Sequence, residues 1–420
     1  MNPNFLPDLP PNSLVVLVDS SAITRSCYAG YKDTLTSIYK GRAMDVNALH
    51  GYMYRVMKIY EQFNFETMVH VIDPPGGSFY RYGIYPEYKG QRKSPEPALV
   101  AQEAILEEVL SAFGERHIRK RGVESDDVIG TMAEALYKQG HHVMIITSDK
   151  DLMQLVIDHD ENRPEEGSIC VARYVNDPYN PRKKIYASYT EDEVYDVWKV
   201  RPDQVVDYLA LVGDTSDNIP GVKGIGDVKA IDLLNTYGNL ESIANNIENI
   251  PAKSGREALR KELGNLELYQ NLTRIMRNVP GINLPEVEET PDHQIHFVRQ
   301  LLCWPEHYPS KFTIGQEVQY MQPTSLISLT MREENTQQEY HSYSSQTQVK
   351  KDPVKQVTEV RHSYQETHAV KEQRHVPVQE PQPPSPQKTV PEPAPVSLPA
   401  PSQEVKKETK RPTFSLSRIR

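Results

Sequence analysis

The sequence predicts an α/β fold, a mixed and mostly parallel sheet flanked by helices, followed by a helix–hairpin–helix unit and a disordered tail. Three observations carry this. Three short apolar runs, Ser13 to Asp19 (SLVVLVD), Met68 to Asp73 (MVHVID) and His142 to Asp149 (HVMIITSD), each finish at an aspartate. Helix-length stretches separate them, and strands alternating with helices form parallel sheets covered on both faces. Composition then changes: among 420 residues every glycine lies at or before Gly315, while the segment from Gln322 is rich in Pro, Gln, Glu and Ser.

Taken in order, the first run predicts a buried strand, and Val46 to Phe63 predicts the helix that crosses back to the second strand. Further helices are expected over Ala98 to Phe113 and Asp126 to Lys138, before the third strand. Residues 158–185 are polar and proline-bearing and read as an excursion with a hairpin. Helical periodicity returns at Glu191 to Trp198 and Pro202 to Val212. After a glycine-rich turn at 221–226, helices are expected over 227–236, 239–246, 254–264 and 266–278, with Ile282 to Met321 a connector of little pattern. The expected division is a catalytic core at 1–200, a hairpin subdomain and connector at 201–321, and a tail at 322–420 that cannot bury enough apolar surface to offset its chain entropy.

Cys27, Cys170 and Cys303 are too few and too scattered for a disulfide framework or a zinc site. Apolar runs are soon closed by charge, as Leu14 to Val18 is by Asp19, so neither a membrane span nor an apolar leader is expected; a cytoplasmic protein of a bacterium or a phage fits. The net charge is −10; the tail holds 14 basic and 11 acidic residues, leaving 33 against 46 before it. An acidic domain argues against a nucleic-acid partner only if its carboxylates are dispersed and solvated.

Here they are not dispersed. Asp19 and Asp73 end strands, Glu124, Asp126 and Asp127 open a helix in GVESDDVIG, Asp149 and Asp151 follow the third strand in TSDKD, and Asp214 and Asp217 lie in GDTSDN. Each alone is explained as a turn or helix cap, or as charge complementing a helix dipole. Ligands of open α/β sheets gather at the carboxyl ends of the strands. Nine carboxylates converging there repel one another, and hard divalent ions, two or more of Mg²⁺ or Mn²⁺, are their natural counter-charge. Such a pair serves phosphodiester hydrolysis.

Two more segments bear chemistry. In FYRYGIYPEYKGQR, 79–92, the aromatics Phe79, Tyr80, Tyr82, Tyr85 and Tyr88 interleave with Arg81, Lys89 and Arg92, as single-stranded nucleic acid requires; a tyrosine-rich packing surface is the alternative. In NIPGVKGIGDVK, 218–229, the glycines Gly221, Gly224 and Gly226 with Lys223 and Lys229 suit backbone amides meeting duplex phosphates before a helix N-terminus. The turn follows a helix and lacks Gly-Lys-Ser/Thr, which disfavours a nucleoside-triphosphate loop.

Over residues 13–280 the chain resembles the 5′-nuclease family, the N-terminal 5′→3′ exonuclease domain of bacterial family-A DNA polymerases and the stand-alone flap endonucleases of bacteriophages. The specific stretches are GVESDDVIG with TSDKDLMQL, and DYLALVGDTSDNIPGVKGIGDVKA; YKGQR looks especially like the phage enzymes. The resemblance implies a PIN-like core, all nine carboxylates as metal ligands, and a helical arch at 79–97 where Lys89 and Arg92 meet the scissile phosphate. It implies Arg25 as another phosphate contact, although its spacing from Asp19 is one residue short of the pattern. It also implies a potassium ion at the hairpin, with the carbonyls of Val222 and Ile225 as candidates. The expected activity is Mg²⁺-dependent 5′→3′ exonuclease and flap endonuclease cleavage of DNA, and of RNA–DNA primers, by a monomer serving replication, repair or recombination. Unlike the polymerases, no polymerase domain is expected after residue 321, and the tail has no counterpart in the family; Phe414, Leu416 and Ile419 among basic residues suggest a docking peptide for a replication partner, and an unselected tail is the alternative. Two other functions compete: a nuclease-inactive binder of DNA structures, which would lack several carboxylates, and a PIN-like single-strand RNase, which would lack the arch and hairpin.

Overall fold

The computed structural model describes residues 5–6, 9–30, 35–284 and 291–304; the tail expected at 322–420 lies outside them. In chain order the elements are β1 (Leu14–Asp19), α1 (Ser20–Gly30), β2 (Thr36–Tyr39), β3 (Arg42–Asp45), α2 (Asn47–Gln62), β4 (Thr67–Ile72) and α3 (Phe79–Ile84). Then come α4 (Pro97–Ala104), α5 (Leu106–Ala112), β5 (Arg116–Arg119), α6 (Ser125–Tyr137), β6 (His142–Ile146), β7 (Ser168–Asn176) and β8 (Lys184–Tyr189). The remainder is helical: α7 (Glu191–Trp198), α8 (Val205–Val212), α9 (Asp227–Tyr237), α10 (Leu240–Asn245), α11 (Lys253–Glu262), α12 (Leu266–Thr273) and α13 (Asp292–Leu301).

Six strands form one sheet in the order β5-β4-β1-β6-β7-β8, parallel throughout except for the antiparallel β7–β8 pair. The strand period of two explains the apolar runs. Val15 and Leu17 of β1 enter one core with Val69, Val71, Val143 and Ile145, beneath α6 and helices α8 to α12. Leu14, Val16 and Val18 enter the opposite core with Met68, Met144 and Ile146, beneath α1, α2 and α5. A strand covered on both sides has no polar position, hence its unbroken hydrophobicity. The first core takes residues from both sides of position 200, so the described residues of the two expected subdomains share one interior.

Several expectations are corrected by packing. The helix expected over Ala98 to Phe113 is two helices meeting at Ile105. The buried Gln102 carboxamide accepts from the Ala48 and Leu49 amides at 2.8 and 3.3 Å, and fastens α4 onto the first turn of α2. The helix expected to 278 stops at Thr273, where the Leu272, Thr273 and Arg274 carbonyls are taken by side-chain donors of Arg81 and Gln154. The 158–185 excursion contributes β7 and the start of β8, with β7 parallel to β6. The β2–β3 hairpin, β5 and α13 were not expected. Lys40 and Gly41 both take positive φ in the hairpin turn, the conformation a two-residue connection needs. The helical arch expected at 79–97 is helical only over α3; Pro86 disfavours helix at Tyr85, which is extended, and the segment folds down onto residues 214–218.

Candidate metal and nucleic-acid site

The carboxyl ends of β1, β4 and β6 bring Asp19, Asp73 and Asp149 to one edge, and the start of α6 adds Glu124 and Asp126. Each aspartate's bland role is real and uses part of its carboxylate. Asp19 Oδ1 accepts from the Ala22 amide at 3.2 Å, stopping one orphan donor of α1, and its Oδ2 accepts from Thr147 at 2.7 Å. Asp73 Oδ1 accepts from the amide and hydroxyl of Ser125 at 2.9 and 2.8 Å, which seats the first turn of α6 against β4. Asp149 accepts from the Asp151 amide at 3.0 Å. The cap contacts therefore aim the carboxylates as well as closing the helix ends.

Electrostatics mark the edge as unfinished. Burial, with Asp73 and Asp149 nearby, pushes Asp19 up to about 7 against the opposing Thr147 hydrogen bond. Burial and the charges of Asp19, Asp149 and Asp73 push Asp126 well above the carboxylate range. Burial and Asp149 do the same to Asp151, whose Oδ1 is buried with no hydrogen-bond partner. Asp214 Oδ1 accepts from the Ser216 amide and hydroxyl at 2.6 Å each, and its Oδ2 lies 3.1 Å from Lys150 Nζ. Among the described residues no three His, Cys, Asp or Glu side chains close up as a ready cage. Four of the carboxylates, Asp73, Glu124, Asp214 and Asp217, instead pair with the protein's own cations. An all-oxygen donor set with a stranded carboxylate oxygen and mutual repulsion fits divalent cations.

Those cations come from the segments singled out in the sequence. Lys89 Nζ is 2.5 Å from Glu124 Oε1 and 3.7 Å from Asp217 Oδ2. Lys89 has φ +55°, costly for a side-chain-bearing residue, and is held there as its amide donates to the Asp217 carbonyl at 3.0 Å. Arg92 pairs with Asp217 and donates to the Ser216 carbonyl at 2.9 Å. Arg25 lies 3.4 Å from Asp73 Oδ2 and 3.2 Å from Glu103 Oε1.

Three residues expected to bind DNA or metal are placed otherwise. Arg81 is 3 % exposed and Asp127 0 %, and the two form a bidentate pair at 2.6 and 2.9 Å inside the core. Asp127 is occupied by Arg81 and the Met276 amide, so its contact is with a guanidinium and not with the carboxylate edge. Tyr88 is buried, its single hydroxyl proton shared between Asp217 at 2.9 Å and Glu124 at 3.2 Å. The packing explanation holds for these two side chains of the aromatic segment. Phe79 (61 % exposed), Tyr80 and Tyr82 do face outward.

At the hairpin, the Val222 and Ile225 side chains are buried while Lys223 is exposed. Gly221 has φ +64° and a Cβ there would lie 2.3 Å from the Gly213 nitrogen, so its need is close packing within the chain. Gly224 (φ +97°) and Gly226 open onto free space, and Lys229 Nζ donates to the Gly224 carbonyl at 2.8 Å.

One feature escaped the sequence. A cleft of about 80 Å³ beside Thr147 is lined by Ser26, Arg55, Ser148, Arg173, Tyr174 and Tyr186. Arg55 stands over the Tyr174 ring at 5.2 Å and Arg173 donates to the Ser148 carbonyl at 3.2 Å. Single arginines on α2 and β7 carry no local signal; only the packing of α2 against β7 and β8 joins them.

Comparison with known proteins agrees in extent with these elements. Residues 14–198 match the family model described as 5′-3′ exonuclease, N-terminal resolvase-like domain, and 200–294 that of the 5′-3′ exonuclease C-terminal SAM fold. A 5′-3′ exonuclease of Aquifex aeolicus is 33% identical over 264 residues, covering 63% of this chain and 81% of that one. The thermostable DNA polymerase I of Thermus thermophilus is 31% identical over 291 residues, 69% of this chain but 32% of that one, so the chain spans about a third of that relative. The solved T5 5′-exonuclease with zinc bound is 20% identical at a TM-score of 0.47, covering 68% of this chain and 93% of that one.

Proposed function

Since the chain belongs to the 5′-3′ exonuclease family, we propose that it hydrolyses phosphodiester bonds near the 5′ ends of DNA, as a 5′→3′ exonuclease and flap endonuclease. The single observation that carries this is the partly buried carboxylate edge, Asp19, Asp73, Glu124, Asp126, Asp149, Asp151, Asp214 and Asp217, faced by Lys89 and Arg92. RNA–DNA primers are a second substrate on this reading, and replication or repair the setting.

The carboxylates would hold Mg²⁺ or Mn²⁺, which when bound supplies Lewis-acid polarisation of the phosphate and activation of the attacking water. The chain's own residues do the rest. Thr147 and Ser125 fix the Asp19 and Asp73 carboxylates. Lys89 exchanges its contacts with Glu124 and Asp217 for the scissile phosphate, where its charge counts most as negative charge grows on the oxygens. Arg92 and Arg25 hold the same strand's phosphates. Phe79, Tyr80 and Tyr82 offer outward rings for unpaired bases. Gly224, Gly226, Lys223 and Lys229 grip duplex backbone without reading sequence, and potassium at the Val222 and Ile225 carbonyls belongs to the same proposal. Arg55 and Arg173, in the cleft beside Thr147, suit one further duplex phosphate. A monomer acting in the cytoplasm, with its tail docking a replication protein, completes the proposal.

The test is incubation of the full chain with a 5′-labelled flap duplex and with single-stranded RNA, with and without Mg²⁺. Cation-dependent release of the flap or of mononucleotides supports the reading. Binding without cleavage would instead indicate a DNA-structure binder, and cleavage of RNA alone a single-strand RNase.

A further inference from the structure

We propose that Arg81 is a positioning residue that joins the duplex-gripping C-terminal elements to the cleavage edge, and not a nucleic-acid contact. The inference rests on the nuclease reading above. All five N–H bonds of the guanidinium are used. Nη1 donates to Asp127 Oδ2 at 2.6 Å and Glu124 Oε2 at 3.1 Å. Nη2 donates to Asp127 Oδ1 at 2.9 Å and the Arg274 carbonyl at 2.9 Å, and Nε to the Leu272 carbonyl at 3.0 Å. Asp127 in turn accepts from the Met276 amide at 2.9 Å. One planar group thus ties the base of the 79–97 segment to the first turn of α6 and to the chain leaving α12.

The consequence falls on Glu124. Its Oε2 is held by Arg81 and Tyr88, which presents Oε1 to Lys89 at 2.5 Å. The same first turn of α6 carries Asp126. Three elements that must agree for cleavage (the Lys89 turn, the α6 carboxylates and the 272–276 segment) therefore meet at Arg81. Lysine retains the charge opposite Asp127 but has a compact head that cannot fork between two carboxylates and two carbonyls.

The experiment compares wild type, Arg81→Lys and the double variant Arg81→Gln/Asp127→Asn, which keeps amide hydrogen bonding without a buried unpaired charge. Each is measured for Tm, for Kd on a flap duplex without metal, and for single-turnover cleavage well below Tm. Amide exchange over residues 86–92 and 214–218 is followed in parallel. We expect Kd within about twofold, cleavage slowed roughly 100-fold, as misplacement by an ångström implies, and faster exchange in both segments. Kd rising as much as the rate falls would make Arg81 a nucleic-acid contact, and unchanged cleavage, whatever the Tm, would make it structural alone; either overturns the proposal. If wild type itself does not cut, the nuclease reading fails, and unchanged exchange in both variants would then overturn the positioning role independently.

Discussion

Lys89 shows how a residue acquires a role from its neighbours. The YKGQR run marks it as a phosphate contact, but only the fold shows it in a left-handed turn, between Glu124 and Asp217. Burial works against its charge, and Glu124 and then Asp217 hold it protonated. Lys89→Ala should reduce single-turnover cleavage by about 100-fold or more and raise Kd only a few-fold, because the charge acts on the transition state; equal losses would demote it to a binding residue. Arg81, Tyr88 and Asp127 show the limit of residue-level reading. A basic and aromatic stretch looks the same whether its side chains meet DNA or pack inward, and the distinction lies in Leu272 and Arg274, some 190 positions away.

At the scale of elements, legibility followed hydrophobic burial. β1, β4, β6, α2 and α6 are covered strands or strongly periodic helices, and their patterns survive in the sequence. β5 (RHIR) is an edge strand with one buried residue, so no apolar signal announces it. α12 ends early because tertiary donors claim its last carbonyls, which no local propensity encodes. The hairpin turn was legible as glycines, but for a mixed reason: Gly221 is required by its contact with Gly213 and Gly224 by its positive φ, while a side chain at Gly226 would meet open space. Gly221→Ala should therefore lower Tm, while Lys223→Ala with Lys229→Ala should leave Tm alone and weaken duplex binding about threefold to tenfold at low salt, with a shallower salt dependence. A thermal scan beside a salt titration separates the two. The α6 helix also predicts an acid limb. Burial works to raise Glu134, but Lys138 and Arg277 outweigh it and hold it below the usual glutamate value. Its contribution is present above that value and lost as pH falls through the lowered one, so Glu134→Gln should flatten the loss of stability as pH drops below the usual glutamate value.

Across the whole molecule, the acidic balance and the nucleic-acid reading are reconciled by where the carboxylates lie. Eight of them share one sheet edge with Lys89, Arg92, Arg25 and Lys150, so the chain's four cations offset half of that charge and the remainder is left for other cations. The described core is continuous across residue 200, which makes the hairpin elements part of the same body as the carboxylate edge. Truncation after residue 321 should leave flap cleavage intact, since every group placed here in the chemistry precedes it; a truncated protein unable to cut would give the tail a share in catalysis. The most direct test loads full-length protein with a 5′-labelled flap duplex in chelator and mixes it with excess Mg²⁺ in a rapid-quench device, beside Asp126→Asn. The account predicts labelled product within a single turnover from wild type, and bound but uncut DNA from the variant. Equal cleavage by Asp126→Asn, or uncut DNA from wild type, would contradict it.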